Sequence, residues 1–126
     1  MSVLTLVRAG QEAILEGSPD ERLMRSVEDV RDIVEQCLSH RVPRVLLHAA
    51  NLTDRFFDLS SGEAGEILQK LFQYRIRIAI VRPPDAAPAS RRFGEMMAEE
   101  ASRGRVGLFD SIDAARAWLG GSPREV

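Results

Sequence analysis

From Phe56 to Val81 the chain reads FFDLSSGEAGEILQKLFQYRIRIAIV, a loop, a helix and a buried strand in succession. Apolar residues recur at Ala64, Ile67, Leu68, Leu71 and Phe72, the spacing that fills one side of an α-helix. Glu63, Glu66, Gln69, Lys70 and Gln73 take the other side, and Glu66 precedes Lys70 by one turn, the favourable order for a helical ion pair. After Tyr74 and Arg75, the short β-branched run IRIAIV has the composition of a strand covered on both faces.

The remaining pattern places further elements on either side. VLTLVR (Val3 to Arg8) and QEAILE (Gln11 to Glu16) are two strands joined through Ala9-Gly10, where Gly10 supplies the positive φ of a tight hairpin turn. Gly17-Ser18-Pro19-Asp20 interrupts them. From Asp20 to His40 the period is helical, with a stripe of Leu23, Val27, Val30, Val34 and Cys37/Leu38 opposite Glu28, Asp29, Arg31, Asp32 and Glu35. Cys37 therefore reads as a small core residue. Pro43 marks the helix exit and RVLLHA (Arg44 to Ala49) is a third buried strand, followed by the polar loop NLTDRF. Past the central block, Pro83, Pro84 and Pro88 make a stiff connection to a third helix over about Ala89 to Arg103, with Phe93, Met96, Met97 and Ala101 in its stripe. VGLF (Val106 to Phe109) is the last strand. Asp110 or Ser111 caps a final helix carrying Ala115, Trp118 and Leu119, and Gly120-Gly121 stops it, leaving residues 121–126 as a loose tail.

The order β-β-α-β-α-β-α-β-α implies an α/β domain over residues 1–120, its strands paired in parallel through right-handed crossovers after an opening hairpin. We expect a five-stranded mixed sheet in the order 1-3-2-4-5, the first strand antiparallel at one edge and the helices mainly on one face. Sites in such sheets form at the carboxyl ends of the parallel strands. Here that edge takes in His48 to Arg55, Arg82 to Pro84 and the start of the second helix.

Composition narrows the chemistry. With 126 residues, 17 Lys+Arg and 19 Asp+Glu, the chain lacks the basic surplus of a nucleic-acid binder. No apolar run reaches membrane-spanning length and no signal-peptide pattern is present, so a cytoplasmic protein without membrane attachment is expected. A single cysteine excludes an internal disulfide and a CxxC metal site, and His40 and His48 belong to no HxxxH or HExxH pattern. GxGxxG, Walker A and G-x-S-x-G sequences are also missing, so neither a phosphate loop nor a nucleophile elbow is implied, and no cofactor or metal. Lys70 is the chain's only lysine.

The run FFDL-x-x-G-x-AGEILQK, with Phe56, Phe57, Asp58, Leu59, Gly62, Ala64 to Lys70, Tyr74 and Ala79-Ile80-Val81, resembles the bacterial family called domain of unknown function 4180. That family brings no activity with it. A second likeness is to the STAS domains, the SpoIIAA-like anti-sigma-factor-antagonist fold, which shares the strand and helix order above. Its signature is an Asp-Ser-Ser-Gly turn after the third strand, and Asp58, Ser60, Ser61 and Gly62 resemble it with Leu59 inserted after the aspartate. In STAS antagonists the first serine of that turn is phosphorylated by a partner kinase, so the likeness implies a regulatory protein switched at Ser60 or Ser61.

The same residues have a structural reading. Ser60 and Glu63 fit a capping box, S-x-x-E, in which each side chain satisfies the other's backbone N–H. A phosphoserine or bound anion at a helix N-terminus is the functional alternative. Gly62 and Gly65 weaken the helix, which close approach of a neighbour or partner would offset. Taken together, the sequence suggests a non-enzymatic regulatory or protein-interaction module, with a protein partner, a second copy of itself as a homodimer among the candidates, meeting Asn51, Asp54, Phe56, Glu63, Glu66, Gln69 and Lys70. The alternative is a small-molecule or nucleotide-binding protein, or an enzyme, using the strand-end edge around His48, Asp54, Asp58 and Arg82.

Overall fold

The computed structural model describes residues 4–82 and 91–120. Val3, the prolines at 83, 84 and 88, Ala89 and the 121–126 tail lie outside the described residues. The elements are β1 (Thr5–Ala9), β2 (Glu12–Glu16), α1 (Val30–His40), β3 (Arg44–His48), α2 (Glu63–Gln73), β4 (Arg77–Val81), α3 (Arg91–Ser102), β5 (Val106–Phe109) and α4 (Ile112–Leu119). They form an α/β domain with a five-stranded mixed sheet and four helices among the described residues.

The strand order is β1-β2-β3-β4-β5, not the expected 1-3-2-4-5. β1 lies antiparallel on one edge, joined to β2 through a turn whose Gly10 has φ +63°, and every later pairing is parallel. Each crossover ends on the nearest free edge, so the chain advances in one direction. Right-handed crossovers that all step the same way deposit their helices on the same face. α1, α2 and α3 accordingly share one core with Leu15, Val45, Leu47, Ile78 and Ile80. α4 follows the last strand and covers the opposite face, where Ala115 and Leu119 meet Ile14, Leu46, Ala79 and Val81. The strict alternation of these strand residues between two cores is the period of a sheet buried on both sides.

The helix expected from Asp20 starts only at Val30, after a 3-10 turn over Val27–Asp29. Two sets of hydrogen bonds outcompete the helical period of residues 20–26. The Asp29 carboxylate accepts from the backbone N–H of Arg25 and Ser26 at 2.8 and 3.2 Å. The backbone N–H groups of Leu23 and Met24 both donate to the Asn51 carbonyl, at 3.2 and 2.9 Å, so neither is available to a helical ladder. Within α1 the inward positions are Val30, Ile33, Val34 and Cys37, whereas Leu38, read into the stripe with Cys37, is 54% exposed. Ala101 of α3 likewise faces out.

α1 and α2 end alike. Arg41 and Arg75 each take a left-handed φ of 58°, and the next residue's N–H reaches back, from Val42 to the Cys37 carbonyl and from Ile76 to the Leu71 carbonyl, each at 3.0 Å. These are Schellman-type closures with an apolar residue tucked behind them.

Gly62 has a different reason from the close packing expected of it, and Gly65 meets no close neighbour among the described residues. Gly62 has φ +78° and precedes the first helical residue, so its backbone conformation, not a neighbour, selects glycine. Gly65 has open space where a Cβ would sit. Gly17 is a position of close approach: a Cβ there would lie 2.4 Å from the Asn51 side-chain oxygen. Gly65→Ala should therefore stabilise the fold by about 1 kcal/mol. Gly17→Ala should destabilise it by about 2 kcal/mol or more, because a packed polar group must move. Urea unfolding of both variants checks the pair, and a destabilised Gly65→Ala would show that the open side is filled in the native protein. Cys37 is buried, and burial pushes its thiol up to about 12. Aromatic disulfide reagents should label it slowly in buffer and rapidly in denaturant, and equal rates would contradict its inward position.

Candidate functional site

The parallel strands end together, and each delivers a polar residue or turn to one rim. β2 runs into Gly17, whose N–H extends the pairing to the Leu46 carbonyl at 2.9 Å. β3 ends at His48 and passes into a 3-10 turn over Ala49–Asn51. β4 ends beside Arg82, whose N–H donates to the Phe109 carbonyl at 2.8 Å. β5 gives way to Asp110 and Ser111, and Ser111 Oγ caps α4 by accepting from the Ala114 N–H at 3.2 Å.

The Asn51 side chain holds this rim in shape. Its amide oxygen accepts from the His48 N–H at 2.7 Å, and its nitrogen donates to the carbonyls of Ser18 and Glu21 at 2.7 and 2.5 Å. Asn51 is fully buried, as is Phe56, which packs edge-on against Phe57 and Phe93. Neither side chain can form part of a partner surface on this monomer, a correction to the expectation from sequence. Their loop is polar overall, but an amide with three backbone partners and an aromatic ring among apolar neighbours both fold inward.

Two hollows flank the Ala49–Ala50 crest. The larger, about 500 Å³, lies toward α4, with His48 and Val81 at the strand ends and Asp110, Ser111 and Ile112 across from them. His48 is 8% exposed, and burial pulls its imidazole below the usual histidine range. The charges of Glu16 and Asp20 oppose that shift and Arg116 reinforces it. Glu16 and Arg116 are themselves bonded two-fold, at 2.5 and 2.8 Å, across a separation of 100 residues, and this hydrogen bonding holds the guanidinium firmly protonated. The smaller hollow, about 290 Å³, is shared by Arg22, Thr53, Asp54, Phe57 and Arg82. Arg22 there binds Asp54 at 2.7 Å and the Leu52 carbonyl at 2.9 Å, and Arg82 stacks over the Phe57 ring at 4.7 Å. Thr53 Oγ1 is buried without a hydrogen-bond partner among the described residues.

The residues expected along this edge are thus divided. Asp54 and Arg82 share one hollow, His48 lines the other, and Asp58 lines neither. Asp58 instead closes the serine turn on itself. Its carboxylate accepts from Ser60 Oγ at 2.6 Å and from the Ser60 N–H at 3.1 Å. Ser61 Oγ contacts the Arg55 and Asp58 carbonyls at 2.9 and 2.8 Å and accepts from the Glu63 N–H at 3.2 Å. The capping box expected of Ser60 and Glu63 is therefore not formed: a 3-10 turn over Leu59–Ser61 and the left-handed Gly62 shift the helix start by two residues, and Ser61 accepts from the Glu63 N–H.

On the helical layer, Glu66 and Gln69 are exposed, and Glu63 and Lys70 are half-buried. Lys70 borders a depression of about 460 Å³ between α1 and α2, shared with Arg31, Val34, Glu35, Leu38 and Tyr74. Among the described residues no group of three or more His, Cys, Asp or Glu could hold a metal ion, and no helix is long and apolar enough to cross a membrane.

The model of the family described as domain of unknown function (DUF4180) matches residues 9–119, from the end of β1 to the end of α4. The chain belongs to the DUF4180 family. No curated protein and no solved structure matches it. Two features of this DUF4180 chain lie beyond any local sequence pattern. Leu38 was hidden inside a plausible apolar stripe, and the Glu16–Arg116 pair joins residues too far apart for any local pattern.

The state of His48 sets a pH dependence. Its folded-state affinity for a proton is lower than that of an unfolded histidine, so the unfolded chain binds more protons as pH falls through about 6.5. The stability that neutral His48 contributes is whole above that value and is lost on acidification. Urea unfolding at about pH 7.5 and pH 5.5 should show a smaller acid-induced loss in His48→Gln than in the parent. Equal losses would show that His48 titrates as it does in the unfolded chain.

Proposed function

We propose that this DUF4180 chain is a non-enzymatic, cytoplasmic regulatory module that binds another protein through the depression between α1 and α2, in the manner of the STAS-like domains it resembles. The observation that carries this reading is the pairing of Leu38, 54% exposed, with Tyr74, 45% exposed, at one depression of the helical layer. Single exposed apolar residues are ordinary, but two large ones meeting at a recess offer a partner an anchor point. Arg31, Glu35 and Lys70 surround them with both signs of charge, the arrangement of an interface rim that selects orientation. The open side of α2 at Gly65 adds a stretch of helix that a partner backbone can approach closely.

The serine turn supports regulation over catalysis. Ser60 and Ser61 are engaged by Asp58 and by backbone carbonyls, and His48 belongs to a different hollow, so a serine–histidine pair is not assembled among the described residues. Ser60 is the more open of the two, and its hydroxyl points at a carboxylate. A phosphate there would set about two negative charges against Asp58 and open the turn that leads into α2.

Leu38→Glu and Tyr74→Glu test the reading. Both positions are exposed, so each variant should melt within about 0.5 kcal/mol of the parent stability. Affinity purification from native cells should recover a protein with the parent and with an Arg91→Glu control, and lose it at least about tenfold with either groove variant. Sedimentation of the purified chain separates a second copy from a different protein. Identical recovery with all three variants would overturn the assignment of the surface.

A further inference from the structure

We propose that the outer edge of β1 pairs with the β1 of a second copy of this chain, antiparallel about a two-fold axis at Val7, so that two five-stranded sheets join edge to edge. This edge is separate from the α1–α2 depression, so the proposal does not rest on the protein-binding reading.

The hydrogen-bond pattern fixes which residues face outward. Ala9 and Glu12 flank the two-residue hairpin turn, and the closing pair of such a turn exchanges backbone hydrogen bonds. Alternation then turns Thr5, Val7 and Ala9 toward β2, and Leu4, Leu6 and Arg8 away from it. β2 agrees from its other side. The Gly17 N–H donates to the Leu46 carbonyl of β3, so Leu15 faces β3 while Glu12, Ile14 and Glu16 face β1. At Leu4 the outward N–H is already taken, by the Gln36 side-chain oxygen at 2.8 Å. Leu6 and Arg8 are left presenting N–H and C=O groups beyond the sheet. Proline, a bulge and lysine are the usual guards of such an edge, and β1 has none of them in its continuous register. It carries instead Leu6, 54% exposed, with Arg8 as its single charge.

Register then selects the occupant. Two copies of one strand pair antiparallel about a two-fold axis, and outward-facing residues must meet outward-facing residues. An axis at Leu6 needs the Leu4 N–H, which Gln36 holds. An axis at Arg8 sets two guanidinium side chains directly opposite, a repelling like-charge pair. The axis at Val7 does neither. Leu6 exchanges both backbone hydrogen bonds with Arg8 of the second copy, and the methylene stem of that arginine covers the exposed leucine. Val7, half-buried beside the core under α4, meets its own symmetry mate and continues that core across the axis. A strand of unrelated sequence would find the same backbone groups without this match of leucine to arginine. Self-complementarity therefore favours a second copy.

Sedimentation equilibrium of the full chain tests the dimer, and charge tests its register. The parent should dimerise. Leu6→Lys, which faces the second copy's Arg8 with a like charge, should weaken the dimer at least about tenfold, because the change counts twice about the axis. Leu6→Glu, which gives the same arginine an opposite charge, should stay within about threefold of the parent. Position 6 is exposed, so both variants keep the fold. Leu38→Glu should leave dimerisation unchanged. Paired residues at the axis lie about 4.5 Å apart between Cα atoms, within disulfide reach. Val7→Cys should therefore cross-link on mild oxidation. Thr5→Cys, about 14 Å from its mate, should not, and neither should the parent, whose Cys37 is buried. The proposal is overturned if the parent is a monomer at about 0.5 mM. Equal weakening by Leu6→Lys and Leu6→Glu, or cross-linking of Thr5→Cys as readily as Val7→Cys, overturns the register. A dimer that survives Leu6→Lys and is lost in Leu38→Glu would put the second copy in the α1–α2 depression and overturn the edge.

Discussion

A buried side-chain amide governs the shape of the strand-end rim. Asn51 bonds the end of its own strand through the His48 N–H and the preceding crossover through Ser18 and Glu21, while its backbone carbonyl receives Leu23 and Met24. Five polar groups from two segments about thirty residues apart in sequence are satisfied at one residue. In a buried setting each such bond is worth most through what its loss would leave unpaired, about 1–3 kcal/mol for each stranded group. Glycine at position 17 follows from this arrangement, because only a residue without a Cβ lets β2 leave the sheet so close to the Asn51 oxygen. The length of α1 follows as well, since residues pinned to Asn51 are not available to extend the helix.

The other organising constraint is direction. A sheet whose parallel strands advance one neighbour at a time has no reversal of order, and it is the reversal that opens a crevice between helices on opposite faces in doubly wound sheets. Here the rim is instead divided by the Ala49–Ala50 crest into two hollows of different character. The side toward α4 is aliphatic with a buried histidine, and the side toward the three-helix layer is dominated by Arg22, Asp54 and Arg82. The division explains why residues grouped along one edge in sequence do not meet at one place.

The elements with unmistakable spacing were legible from the chain alone. The apolar stripe of α2 and the β-branched run of β4 lie where the pattern puts them, and β5 spans Val106–Phe109 as read. Strand order was not legible, because periodicity states which face a residue occupies and is silent about which strand lies alongside. Residues 20–26 misled for a related reason: their helical period is genuine, but their backbone donors find Asn51 first. Leu38 follows the buried Cys37, and about 100° of helical rotation per residue carries it to the outside. At the serine turn, the pattern S-x-x-E carried no information about Gly62, whose positive φ moves the capping role to Ser61.

The depression between α1 and α2 has a property that follows from composition as much as from shape. Lys70 on its wall is the only lysine in the chain. Every ε-amine-directed event, whether acylation, attachment of a ubiquitin-like tag or capture by an amine-reactive cross-linker, therefore converges on that one wall. Neutralising this amine would change the balance of charge around Leu38 and Tyr74 while leaving the other side chains of the domain chemically untouched.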